Sequence, residues 1–213
     1  MVEKIAAAYR KAQMGIASGL AGTTGSILDE TAFYDAGYMD AQVKRVQKEI
    51  SSVTKELEVN IDLKDGSEYG MKKKRELMER RERLVFRLVF LASNSFKNLG
   101  DCVKIAEGHN YPFMKCVEGL LAYDRGQKEK AFGILESYYK EHKSVEQHFL
   151  INKIFGILLA ERGQNGKAVP FLAYALQYKP DDVECLDALR GCYQSQGDKK
   201  KAAVVSEVLA LLH

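Results

Sequence analysis

Proline and tryptophan are what this chain conspicuously lacks: three prolines and no tryptophan in 213 residues. Proline ends or kinks helices, so its scarcity beside plentiful Ala, Leu, Lys, Glu and Gln predicts an all-helical protein. Cysteine is sparse too. Cys102, Cys116, Cys185 and Cys192 are too few for a disulfide framework in a chain of this length. Cys185 and Cys192 would share one helix face about 10 Å apart, beyond bridging distance. The four therefore read as buried thiols in a reducing compartment. No long hydrophobic run is present. Leu84–Ala92 comes closest, but it contains Arg87 and falls well short of the roughly 20 apolar residues of a spanning helix. No secretory signal is visible in Met1–Arg10, where charges flank the short run Ile5–Tyr9. The formal net charge of +3 is too small to dictate a nucleic-acid or membrane partner. A hydrophobic share of 46% is enough to build a core, which excludes collagen-like and strongly disordered classes. These features predict a soluble, cytoplasmic protein of one large or two small domains.

Residues 1–39 read as an N-terminal helix over 2–20, with Ile5, Ala8, Tyr9, Ala12 and Ile16 apolar, and then a connector containing Gly15, Gly19, Gly22 and Gly25. Ser26 or Asp29 could cap a short helix over 28–36. From Asp40 the pattern sharpens. Val43, Val46, Ile50, Val53 and Leu57 alternate in steps of three and four, a heptad-like seam seeking a partner helix. After a loop over Asn60–Gly70, a second helix is expected from Met71 to Asn98. It carries Leu77, Leu84, Leu88 and Leu91 and, one residue on, Met78, Val85, Val89, Ala92 and Phe96. That stripe is wide enough for two neighbours. Residues 40–107 thus predict a long antiparallel helical hairpin, with 71–98 and Gly100–Glu107 a candidate degenerate repeat.

The C-terminal half repeats itself. Gly126, Gly163 and Gly197 each stand five residues before Ala131, Ala168 and Ala202, at spacings of 37 and 34 residues, so an insertion is expected near Ser144–Gln147. Glycine at such a turn can take the left-handed conformation that ends a helix, and Pro180 stops the helix before it. In the middle unit stand Gly156, Leu159, Gly163, Ala168, Leu172, Ala175 and Pro180. Gly119, Ala122, Gly126, Ala131 and Leu135 correspond in the first unit, and Leu189, Tyr193, Gly197, Ala202 and Leu209 in the third. This pattern resembles the tetratricopeptide repeat family over residues 112–213, in units of about 112–145, 149–182 and 183–213. Tyr138, Leu209 and Arg190 depart from it, each replacing a small residue.

The resemblance implies a helix–turn–helix α-solenoid whose first helices line a concave groove. Its groove positions fall on Phe113, Cys116, Leu120, Tyr123 and Asp124, then Leu150, Lys153, Ile157, Ala160 and Glu161, then Glu184, Asp187, Gly191, Gln194 and Ser195. A groove apolar at one end and acidic at the other suits a peptide segment with hydrophobic anchors and a basic end. The Lys/Asn clamp by which some family members grip chaperone tails is missing, because Cys116, Leu120, Ile154, Glu184 and Ala188 occupy those places. The last helix carries Val204, Val205, Val208, Leu211 and Leu212, which predicts self-association.

No catalytic constellation stands out. Gly19–Ser26 lacks the lysine of a phosphate loop. Cys102, His109 and Cys116 are too widely spaced for a zinc site, and neither these nor His142, His148 and His213 suggest a metal or any other cofactor. Asp181 and Asp182 after Pro180 are explained by helix capping. The cations Lys72, Lys73, Lys74, Arg75, Arg80, Arg81 and Arg83 interleave with Glu76, Glu79 and Glu82 for a net +4, more than the whole chain carries. Such interleaving usually marks a solvated, salt-bridged helix face and otherwise an acidic protein partner, while nucleic acid and anionic lipid are disfavoured. The function expected is a non-enzymatic adaptor or scaffold that binds a peptide segment of a partner protein. The alternatives are a chaperone of a secreted or translocator protein and a structural subunit assembling through the N-terminal hairpin.

Overall fold

The computed structural model describes residues 36–59, 67–109, 111–142 and 148–212. The expected N-terminal helix, the Gly15–Gly25 connector, nearly all of the 28–36 helix, the loop residues 60–66 and the insertion at Ser144–Gln147 lie outside them. Among the described residues all regular structure is helical, with no strand. The helices are α1 (Ala36–Val59), α2 (Glu68–Ala92), α3 (Phe96–Ile105), α4 (Met114–Asp124), α5 (Lys128–His142), α6 (Phe149–Glu161), α7 (Asn165–Tyr178), α8 (Val183–Ser195) and α9 (Lys199–Ala210). The chain divides into two compact units at Val117/Glu118, within α4.

In the Asp35–Val117 unit, α1 packs on α2. Val43, Val46 and Val53 of the heptad-like seam are buried, as are Leu77, Leu84 and Leu88 of α2. Lys73 reaches Glu56 at 3.7 Å across the pair. Ser67 starts α2, its Oγ accepting the Gly70 N–H at 3.0 Å. The single helix expected over 71–98 is broken. α2 stops at Ala92, where the Ser93 hydroxyl and the Asn94 amide both donate to the Phe90 carbonyl, at 3.1 and 3.0 Å. Side chains that compete for backbone carbonyls favour a turn, and apolar periodicity does not register them.

The segment leading into α4 is tied to α2 through Glu82. Its Oε2 lies 2.8 Å from His109 Nδ1 and accepts the Tyr111 hydroxyl at 2.7 Å. The Tyr111 hydrogen bond, aided by His109, holds the Glu82 carboxyl below its usual range despite some desolvation. The Phe86 ring meets Tyr111 edge-on at 5.3 Å, and Phe90 lies 5.3 Å from Phe113.

In the Glu118–His213 unit one turn occurs three times. The N–H of Gln127, Gln164 and Asp198 donates to the carbonyl of Ala122, Leu159 and Tyr193, at 2.9 Å in every case. One residue earlier, Gly126, Gly163 and Gly197 donate to Tyr123, Ala160 and Gln194 at 2.8–3.0 Å. These glycines have φ of 75°, 70° and 74°. Together the two bonds form the Schellman motif, which satisfies the last carbonyls of a helix and requires a left-handed residue. The turn joins α4 to α5, α6 to α7 and α8 to α9. Ala131, Ala168 and Ala202 are buried at equivalent places in the helices that follow. Pro170 lies inside α7 and the helix continues through it. The carbonyl its ring leaves unbonded is that of Gly166, which is exposed to water.

Close approach also recurs. A Cβ on Gly119 would sit 2.8 Å from Leu135 Cγ, and one on Gly156 would sit 2.8 Å from Leu172 Cγ and 3.1 Å from its backbone nitrogen. The same sequence separation from Arg190 leads to Ser206, so the third unit has a larger residue on one helix and a smaller one on the other. Gly156→Ala should therefore destabilise the protein, because overpacking costs about 1–3 kcal/mol against about 1 kcal/mol of improved helix propensity. Gly133, on α5, has nothing within 4 Å of an added Cβ. Gly133→Ala should raise the urea midpoint while Gly156→Ala lowers it.

Candidate functional site

The sequence-predicted groove residues separate by burial. Leu120, Leu150 and Ile157 are core side chains of the Glu118–His213 unit. Phe113 and Cys116 belong to the Asp35–Val117 unit and are buried too. The apolar floor expected for a peptide is thus interior packing. An apolar residue on the first helix of a two-helix unit serves core and groove equally well in a sequence pattern, and here the neighbouring helices cover it. Asp124, Glu161, Glu184, Asp187 and Gln194 are exposed, and Tyr123 and Lys153 are half-buried.

The polar members are brought together. Lys128 Nζ of α5 donates to Glu161 Oε1 of α6 at 2.6 Å. Arg162 reaches Glu129 at 2.7 Å, its guanidinium 3.9 Å from the centre of the Phe132 ring. Lys153 of α6 reaches Asp182 at 2.9 Å and Glu184 of α8 at 2.8 Å. Asp182 also caps α8, its Oδ1 accepting the Cys185 N–H at 3.0 Å. Burial raises the Tyr123 pKa, and the fields of Glu184 and Glu161 add to the shift. Successive helix pairs of the Glu118–His213 unit are thus bridged by ion pairs, and the predicted groove side chains that are exposed are polar, with Asp124, Asp187 and Gln194 outside those bridges. Sequence spacing identified Lys153, Glu161 and Glu184 but not their pairing. Lys128 and Asp182 were missed as partners, because a contact between units has no fixed spacing in the chain.

Self-association was expected to use Val204, Val205, Val208, Leu211 and Leu212. Val205 and Val208 are buried within the chain with Ala202 and Leu209, because α9 packs on α8. Leu211 is exposed, and Val204 and Leu212 are half-exposed. The basic cluster lies along α2. Lys72, Lys74, Arg75, Arg80 and Arg83 are exposed, and Lys73 and Arg81 are half-buried. Arg83 faces Glu79 at 4.0 Å. Cys116, Cys185 and Cys192 are buried thiols, and burial pushes the Cys185 thiol far above its usual range. His109 is engaged by Glu82, and no cluster able to hold a metal occurs among the described residues. No helix there is long and apolar enough to cross a membrane. No protein-family model, no curated protein and no solved structure matches the chain.

Proposed function

We propose that this chain is a non-enzymatic interaction scaffold whose residues 112–213 form a solenoid of three tetratricopeptide-like units. The scaffold takes a basic peptide segment of a partner protein across the face built by α4, α6 and α8. One observation supports this reading above the others: the same glycine-centred Schellman turn, with buried alanines at matching places, occurs at Gly126, Gly163 and Gly197. Regular stacking of such units yields an extended surface on which side chains, rather than backbone, choose the ligand. The peptide is basic because the carboxylates of Asp124, Glu161, Asp182, Glu184 and Asp187 outnumber the cations paired with them, Lys128, Lys153, Lys179 and Arg190, and the exposed Asp124 lies outside those pairs.

Leu120 and Ile157 are core residues, so charged substitutions there would unfold the unit and report nothing about binding. The test is affinity purification of the intact chain with mass spectrometry of bound proteins, repeated with Asp124→Lys and Asp187→Lys. Both positions are exposed, and neither bridges two helices. The expected result is loss of one basic partner with an unchanged far-UV spectrum. Identical partner lists for all three chains would overturn the proposal.

A further inference from the structure

One line of the wide apolar stripe of α2 is covered along only half of its length, although Leu77 beside it is buried. Met71, Met78, Val85 and Val89 recur at steps of seven, seven and four, which places them on one side of a helix. Val85 and Val89 are 1% and 0% exposed, whereas Met71 and Met78 are 57% and 54% exposed. The open end forms a shallow depression lined by Met71, Lys74, Arg75, Met78, Glu79 and Glu82. Lys74 and Arg75 flank the two methionines on either side. Of the acidic groups lining it, Glu82 is engaged by Tyr111 and His109, and Glu79 lies 4.0 Å from the Arg83 guanidinium. Of the cations on this helix, Lys73 is held by Glu56, while Lys72, Lys74, Arg75 and Arg80 make no ion pair with a described residue.

We propose that this face docks an acidic amphipathic helix of a partner protein, independently of the repeat units. Met71 and Met78 lie two turns apart, about 10 Å, which matches the i and i+7 anchors of an incoming helix. Methionine suits such a contact, since its unbranched, polarisable side chain adapts to the shape of the partner. Carboxylates beside the anchors of the incoming helix would meet Lys74 and Arg75, giving the pairing its orientation and much of its association rate. A second copy of this chain is a poorer fit, because the same basic face would repel itself. Nucleic acid would use the cations but has no use for two exposed methionines between them.

The experiment uses the full chain and a fluorescent helical peptide of about 18 residues, with Leu at i, i+4, i+7 and i+11 and Glu beside them. Controls replace its Glu by Lys or its Leu by Ser, and a DNA duplex and anionic vesicles serve as competing ligands. The acidic amphipathic peptide should bind at least tenfold more tightly than either control peptide. Met71→Ser with Met78→Ser, and separately Lys74→Glu with Arg75→Glu, should each weaken it about tenfold, and Asp124→Lys should leave it unchanged. All these positions are exposed, so the far-UV spectrum should stay constant. Absence of binding at about 100 µM peptide would overturn the proposal. So would affinity indifferent to Met71 and Met78, or tighter binding of DNA or vesicles that only the charge reversals abolish.

Discussion

Phe155→Ala should unfold at a markedly lower urea concentration, with a loss of about 3–5 kcal/mol, the range for emptying a buried aromatic site. Phe155 is buried at the meeting point of three helices. Its ring stacks on Tyr139 of α5 at 4.9 Å and meets Phe171 of α7 edge-on at 4.8 Å, while Phe132 of α5 approaches at 5.9 Å. Tyr139 and Phe171 also touch, at 4.9 Å. Removing the central ring takes a partner from every other ring at once, and the buried alternatives are fixed in place by helix packing. The void would therefore collapse only in part, and total stabilities of about 5–15 kcal/mol leave little margin. Phe132→Ala should cost less. That ring is half-exposed, and its main loss is the Arg162 cation above it, worth about 0.5–1 kcal/mol. Urea denaturation of the full chain followed by far-UV circular dichroism separates the two variants. Equal midpoints would contradict the idea that these rings form one cluster centred on α6.

What the amino-acid order discloses depends on how local each physical demand is. A left-handed residue at a helix end admits little besides glycine, so Gly126, Gly163 and Gly197 mark three turns without any knowledge of the fold. Gly156 is also readable as a repeating position, and its reason is the close approach of Leu172, whose Cγ lies 2.8 Å from where a Cβ would sit. The break after Ala92 is not readable from hydrophobicity: Leu91, Ala92 and Phe96 continue the apolar pattern straight across it, and polar side chains of Ser93 and Asn94 decide the matter. Burial is harder still. Leu120, Leu150 and Ile157 have the same spacing whether they line a groove or fill a core, and only the positions of neighbouring helices distinguish the two. The same applies to α9, where Val204 and Val205 are adjacent and only the second is buried. The cations of α2 were visible as a cluster, but their division into paired and unpaired groups depends on Glu56 and Glu79, and Glu56 belongs to another helix.

Lys153→Met should be the most damaging single change among the ion pairs. The Lys153 and Asp182 side chains are 13% and 7% exposed, so deleting the cation leaves a carboxylate with little access to water. Breaking such a pair from one side commonly costs about 3–5 kcal/mol, because the remaining charge loses its compensation. Lys179 at 3.5 Å and the Cys185 N–H still serve Asp182, which places the expected loss nearer 2–3 kcal/mol. Lys128→Met, removing an exposed pair with Glu161 that solvent screens, should cost far less. The acid limb should separate the two further. Burial raises the Asp182 pKa, but Lys153, the Cys185 N–H and Lys179 outweigh it and hold the group below its ordinary 3.8. Asp182 therefore contributes stability in full above 3.8 and loses it as pH falls through the lower folded value. Desolvation opposes the charge on Lys153, yet Glu184 and Asp182 raise its pKa above 10.5, so its contribution is complete below 10.5 and fades as pH rises through the folded value. Lys153→Met takes away the largest of the contacts that depress the Asp182 pKa, so the acid transition should begin at higher pH. The deficit against wild type should shrink once Asp182 is protonated in both chains, and the alkaline loss tied to Lys153 should vanish. A deficit that stays constant from acid to neutral pH would mean that Lys153 stabilises α6 through its contact over the Phe149 ring and not through Asp182.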